Sequence, residues 1–295
     1  MRTLFRGFPA VLILAAWLSG GAVQAQEAKE DAAPPRRPPE GTIIINLPSA
    51  DVGPSGTLQL LITHRFAGPL DGSDIHSLFS FDSGADVGLG LSYVPFKDLE
   101  IGFLRNRNLE DYEASAKYRV YSSPDSPFAA ALRVGGDFRT QRTPDLCRTI
   151  TPRPAACAFA DDRNSFFVQG TAAILLFSRV RLSVVPTYIS RSAQQPFVVV
   201  NSIHKDVFNV PFAVSIAVTR SINVQAEVVP RRSQAQAQGV GWITAIEKTV
   251  LRHRFSFTAG NVRPTTVDQY IGPDFQGRPH DYYVGFNIIR QWKLN

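Results

Sequence analysis

The stretch Gly84-Ala85-Asp86-Val87-Gly88-Leu89-Gly90-Leu91-Ser92-Tyr93 decides the fold. From Ala85 to Tyr93 every second residue is apolar, and the residues between are Asp, Gly or Ser. In an extended strand the two sets point to opposite faces, one oily and one small or polar. The same pattern recurs from Phe208 to Val218, where Phe, Val and Ile alternate with Asn, Pro, Ala and Ser. It recurs again from Tyr112 to Tyr121, where Tyr112, Ala114, Ala116, Tyr118 and Val120 oppose Glu113, Ser115, Lys117, Arg119 and Tyr121.

Outward from these stretches, the chain from Thr57 resolves into twelve period-two runs. They cover 57–66, 84–94, 98–106, 110–121, 127–139, 164–177, 179–190, 206–219, 222–232, 240–248, 251–261 and 282–293. A soluble sandwich would also alternate, but its strands are typically about 5–6 residues long. Most of these runs are about as long as the 9–11 residues with which a tilted strand crosses a bilayer. The links also alternate. Those near 95–97, 122–126, 178, 220–221 and 249–250 are short, and those at 67–83, 140–163, 191–205 and 262–281 are long. Short periplasmic turns and long external loops are the habit of outer-membrane barrels. The fold class expected is therefore all-β, an antiparallel transmembrane β-barrel of about twelve strands, within a range of ten to fourteen. Pro186, Pro211 and Pro230 fall inside runs, where each removes a ladder hydrogen bond, so bulges or shortened strands are expected there.

Facing follows from parity. The oily face carries Phe66, Tyr112, Phe138, Phe166, Tyr188, Phe208, Trp242 and Tyr282 at one end, and Tyr93, Tyr118, Phe128 and Trp292 at the other. Aromatic rings at both interfaces suit a membrane barrel. The opposite face lines the lumen. It holds Arg65, Lys117, Arg119, Arg133, Arg139, Arg181, Arg231, Arg252 and Arg254 against Asp86, Glu100, Glu113, Asp137, Glu227 and Glu247. This is a basic excess, which in an open pore favours anions.

Composition agrees. The 295 residues are 44% hydrophobic and 19% charged, below the roughly 25% charge of ordinary soluble domains. Disorder throughout is excluded by the apolar content. Past the first twenty residues no apolar run approaches the roughly 18–20 residues of a membrane helix. The net charge of +6 gathers into no patch that would suggest nucleic acid. Arg2 and Arg6, the apolar stretch from Phe8 to Leu18 and the small residues of Val23-Gln24-Ala25 read as a signal peptide over 1–25. Cleavage after Ala25 removes two arginines and no acid, so +6 becomes +4. Residues 26–41, with Pro34, Pro35, Pro38 and Pro39, read as a disordered periplasmic tail. The barrel is assigned to 42–295.

Several stretches together resemble a bacterial family of β-barrel proteins, domain of unknown function 5777. They are Asn46-Leu47-Pro48-Ser49-Ala50, the run from Leu58 to Phe66, Leu78-Phe79, and Ala85 to Tyr93. Ala116-Lys117-Tyr118-Arg119, His253 to Thr258 and Gly285-Phe286-Asn287-Ile288 continue the likeness. The resemblance spans roughly Ile43 to Leu294 and leaves Thr140 to Asp162 outside it. It implies an outer-membrane location and brings no substrate or catalytic residue.

Cys147 and Cys157 sit in the longest link, with Pro152 and Pro154 between them, and in an oxidising compartment read as a local disulfide. His76, His204 and His280 fall on long links with no metal-ligand spacing, so no metal site and no cofactor is expected. A lipid hydrolase needs a Ser–His pair near the outer leaflet. His253 and Ser256 face opposite ways, and no serine is fixed beside His64, so no enzyme is expected. The leading expectation is a passive pore for small solutes with a mildly basic lumen. The alternative is a closed structural or interaction barrel presenting loops or tail to a partner, and the third is an outer-membrane lipid-modifying enzyme. The lumen-lining charged candidates are Arg65, Asp86, Glu113, Lys117, Arg119, Arg133, Asp137, Arg181, Glu227, Arg252 and Arg254. Expected partners are outer-membrane lipid, small anionic solutes and a periplasmic or surface protein, with both barrel termini periplasmic.

Overall fold

A computed structural model describes residues 41–70, 73, 75–76, 81–107, 110–140, 164–190, 206–230, 240–271 and 281–294. The first strands are Thr57–Phe66 (β1), Ala85–Phe96 (β2), Leu99–Asn106 (β3), Asp111–Ser122 (β4), Phe128–Arg139 (β5) and Asn164–Leu176 (β6). Two further strands come in two segments each: Val180–Val184 with Thr187–Ser190 (β7), and Val207–Asn209 with Phe212–Ala217 (β8). Then follow Ile222–Val229 (β9), Gly241–Val250 (β10), His253–Gly260 (β11) and Tyr283–Lys293 (β12). Each pairs antiparallel with the next, and β1 pairs with β12 from Thr57↔Lys293 to Arg65↔Gly285. The twelve strands therefore close, leaving no free backbone edge.

The breaks fall at prolines. β7 is interrupted at Val185-Pro186 and β8 at Val210-Pro211, while Pro230 ends β9. The ladder is patched across the gaps, because Val185 N–H donates to the Pro211 carbonyl and Gly170 N–H to that of Pro186. Proline carries no N–H to give, so a bulge is the local solution. The link of β6 to β7 is tight: Arg179 N–H donates to the Leu176 carbonyl, with Phe177 and Ser178 at φ 52° and 55°. Two positive φ angles in succession mark the mirror-image turn that matches strand twist.

Burial is inverted relative to a water-soluble protein. On β2, Asp86, Gly88 and Gly90 face inward and are buried, whereas Leu89 and Leu91 are about half exposed. The outward face carries the aromatic rings that parity assigned to it. Phe138 meets Phe166 edge-on, and Trp242 packs against Tyr282. The inward face is polar: Thr63, Gln169, Thr187, Ser215 and Gln225 are all buried.

Two segments outside the strands run into the lumen. Residues 41–52 form a hairpin that precedes β1 and enters at the end of the short turns. Ile43 bridges Pro48, Ile44 N–H donates to the Leu47 carbonyl, and Ser49 N–H to that of Thr42. Residues 261–271 follow β11 at the opposite end and contain the single-turn helix Val267–Tyr270 (α1). Both are buried nearly throughout. The sequence predicts an external loop over 262–281 and, within a barrel assigned from residue 42, no strand before Thr57; the structure turns parts of both stretches into the lumen. The expected signal peptide, the tail up to Glu40 and the Cys147–Cys157 pair lie outside the described residues.

Candidate functional site: the occupied lumen

The hairpin is held by polar and charged side chains that alternation turns inward from five strands. Glu227 on β9 accepts hydrogen bonds at its Oε1 from the backbone N–H groups of Ile45, Asn46 and Leu47, at 2.7, 2.9 and 2.9 Å. A carboxylate gripping three successive amides makes charge-assisted bonds, stronger than neutral ones. From β4, Lys117 Nζ donates to the carbonyls of Thr42 and Asp51 at 2.7 and 2.8 Å. Arg119 ion-pairs with Asp98 and donates to the Val52 carbonyl. Arg181 on β7 pairs with Asp51 at 2.5 Å. Arg65 on β1 reaches Asn287 Oδ1 and Asn46 Oδ1, and Asn287 Nδ2 on β12 donates to the Ile45 carbonyl. Gly285 makes room for Arg65, because a Cβ there would lie 2.1 Å from the His64 carbonyl and 2.7 Å from Arg65 Cδ.

The segment 261–271 is fixed from the other end. Arg133 on β5 ion-pairs with Glu113 on β4, and Glu113 Oε2 accepts from the Val267 N–H at 2.9 Å. Arg133 also donates to Gln169 and lies over the Phe167 ring. Asp111 Oδ2 accepts from Thr266 Oγ1 and Gln269 Nε2, both at 2.8 Å. Arg139 lies 3.4 Å from Asp268. Burial first, and then the nearby Asp111 carboxylate, push the Asp268 carboxyl well above its ordinary range. Burial also raises the Tyr270 phenol.

Where the two segments meet, the contact is apolar. Ile44, Ile45 and Leu47 from the hairpin join Val262, Val267, Tyr270 and Ile271 in one buried cluster with wall residues such as Phe167 and Ile189. A cavity of about 70 Å³ remains between the hairpin and the β1–β5 wall, lined by Gln59, Thr63, Glu100, Glu113, Lys117 and Arg133 among others. It has room for a few waters.

Of the residues expected in the lumen, Arg65, Glu113, Lys117, Arg119, Arg181 and Glu227 touch the inserted segments directly or through one partner. Asp86 is buried opposite Arg65 in the β1–β2 register, Asp137 is buried on β5, and Arg254 pairs with Glu247 at 2.6 Å. Arg252 is the exception. It sits exposed in the turn between β10 and β11, because those strands end and begin at Val250 and His253. The expected basic excess is also corrected. Arg252 leaves the wall, Arg231 lies outside the described residues, and Asp51, Asp111 and Asp268 add three buried or half-buried acids. Among the described residues the interior is therefore not basic.

The hydrolase test also reads out structurally. His64 lies on the outward face, stacked on Phe286 and edge-on to Phe66. Ser256 bonds to Glu247 in the lumen, while His253 stacks on Phe255 outside. These pairs are not brought together. The missed elements had signals. The run Ile43-Ile44-Ile45 with Leu47 is apolar enough to demand burial, and Val267, Tyr270 and Ile271 have the i, i+3, i+4 spacing of a helix face.

A family model described as a membrane bound beta barrel domain (DUF5777) matches residues 40–292. Solved structures give likenesses at low identity. The NanC porin aligns at 7% identity and a TM-score of 0.45, covering 81% of this chain and 100% of its own. The COG4313 outer membrane channel from Pseudomonas putida F1 aligns at 11% and 0.48, covering 82% and 98%. Outer membrane phospholipase A from Escherichia coli aligns at 9% and 0.44, covering 84% and 97%. No curated protein matches the sequence.

Proposed function

The chain belongs to the membrane-bound β-barrel family of domain of unknown function 5777, and from that premise we propose that it is a gated pore for small polar solutes in the outer membrane. The hairpin 41–52 is the gate, entering from the periplasmic end. The observation that carries this reading is the chemistry of the hairpin's bed. Lys117, Arg119, Arg181, Glu227 and Arg65 hold it by hydrogen bonds and ion pairs. These are groups that water can also satisfy when the hairpin withdraws, so release costs only the modest net energy of the exchanged hydrogen bonds. A wall evolved around a permanent plug has no such need of charge. The buried arginines and lysine are balanced by acids, so the open path would discriminate weakly by charge.

The apolar contact of Ile44, Ile45 and Leu47 with Val267, Tyr270 and Ile271 favours a second reading, a barrel permanently closed that acts through its loops. Liposome swelling tests whether a path lies beneath the two segments at all. Vesicles carrying the full-length protein should resist swelling in isotonic small sugars. Vesicles carrying a chain without residues 41–52 and with 261–271 replaced by a short Gly/Ser linker should swell. A folded double variant that stays as tight as the parent would establish the closed barrel and end the pore reading. Swelling by the intact protein would sink the gate.

A further inference from the structure

Three fully buried carboxylates meet at the far end of the lumen. Asp111 and Asp137 project from the neighbouring strands β4 and β5, and Asp268 comes from α1. An oxygen from each lies within 4.8 Å of the other two. Points no farther apart than that fit inside a circle of radius 4.8 Å over √3, so one centre lies within about 2.8 Å of all three. That is close to the 2.3–2.6 Å at which calcium holds oxygen ligands, and wide for the 2.0–2.1 Å that magnesium demands.

The second observation is what the oxygens lack. Asp111 Oδ1 and Asp137 Oδ1 accept no hydrogen bond from a nitrogen or hydroxyl donor among the described residues, although both side chains are completely buried and Asp111 lies within hydrogen-bond reach of the Asp268 carboxyl. The opposite oxygens are occupied: Asp111 Oδ2 by Thr266 and Gln269, Asp137 Oδ2 by Ser165 at 3.5 Å. Asp268 Oδ1 lies 3.1 Å from Thr266 Oγ1 and shares its single proton with Asp111 Oδ2, and Asp268 Oδ2 has only Arg139 Nε, at 3.4 Å and off the line of a hydrogen bond. Among the described residues two guanidiniums, Arg139 and the Glu113-paired Arg133, thus face these three carboxylates and Glu113. A buried carboxylate oxygen without a donor is costly, and like charges at this range cannot all persist alone. We propose that Asp111, Asp137 and Asp268 bind one calcium-type divalent cation, which clamps the segment 261–271 to β4 and β5. The oxygen-only donor set selects a hard cation over a soft transition metal. The site does not depend on the pore reading, because the clamp has the same effect whether or not the hairpin ever leaves.

The test is titration of the chelator-treated, refolded full-length barrel in detergent with calcium chloride, followed by calorimetry. One saturable site is expected, with magnesium weaker. Asp137→Asn and Asp268→Asn, close in shape to the parent side chains, should each weaken binding by roughly tenfold or more. Heat-modifiable gel migration shows that each variant is folded. Calcium should also slow hydrogen exchange at the amides of 267–270 in the parent and not in Asp268→Asn. Absence of saturable calcium binding by the folded parent overturns the proposal, as does equal affinity in the parent and both variants. Neither result touches the swelling assay, so failure here and failure of the pore reading are distinguishable.

Discussion

Glu227 shows what a single residue can and cannot announce. Parity on β9 turned it to the lumen, where it is buried. Its partners, the amides of Ile45, Asn46 and Leu47, lie some 180 positions away, and backbone donors carry no side-chain signature. The same holds for Lys117, whose partners are two carbonyls. Sequence therefore identified the wall charges and was silent on what they hold. Arg252 failed for a smaller reason: its strand begins later than the pattern does, at His253. If Glu227 is the main grip on the hairpin, Glu227→Ala should weaken docking by about 2–4 kcal/mol, since hydrogen bonds to charged groups are worth about 1.5–3 kcal/mol net and do not add fully. Hydrogen exchange at the amides of 45–47 should then accelerate by about two orders of magnitude, with little change at Thr63 or Gln225 on the wall. Glu227→Gln, which keeps one acceptor, should fall between. Unchanged exchange in the alanine variant would mean that the apolar tip alone anchors the hairpin.

At the scale of elements, the strands were legible because lipid outside and polar packing inside impose strict alternation. All twelve runs correspond to strands of the closed sheet, and Pro186 and Pro211 mark the interruptions of β7 and β8. The inserted segments were not legible as such, because neither alternates. The hairpin is a short apolar cluster and α1 a single turn, and both take their stability from contacts with many strands rather than from a local pattern. The facing itself is open to test. Leu89 sits near the middle of β2 on the outward face, and Leu58 lies beside Tyr93 and Trp292 at the interface ring. Leu89→Arg should cost about 2–4 kcal/mol in reversible unfolding from lipid vesicles, and Leu58→Arg about 0–1 kcal/mol. Equal penalties at the two sites would contradict the assigned membrane depth.

For the whole molecule, the decisive feature is that one chain builds both the cylinder and its contents. The hairpin enters beside β1 and the 261–271 segment from the opposite end, and they meet in a single apolar cluster. Charges that looked like a basic lining are instead paired, Arg133 with Glu113 and Arg254 with Glu247 between adjacent strands, and Arg181 with Asp51 of the hairpin. A barrel emptied of both segments should consequently show anion and cation permeabilities within about threefold of each other in a salt-gradient reversal-potential measurement. A strong preference for anions would restore the basic lumen that composition suggested. The most direct test of the central claim is planar-bilayer recording of the intact protein beside the variant lacking 41–52 and carrying a linker for 261–271. The occupied lumen predicts a silent baseline from the intact chain and stepwise conductance from the variant. Steady open-channel current from the intact chain would contradict it.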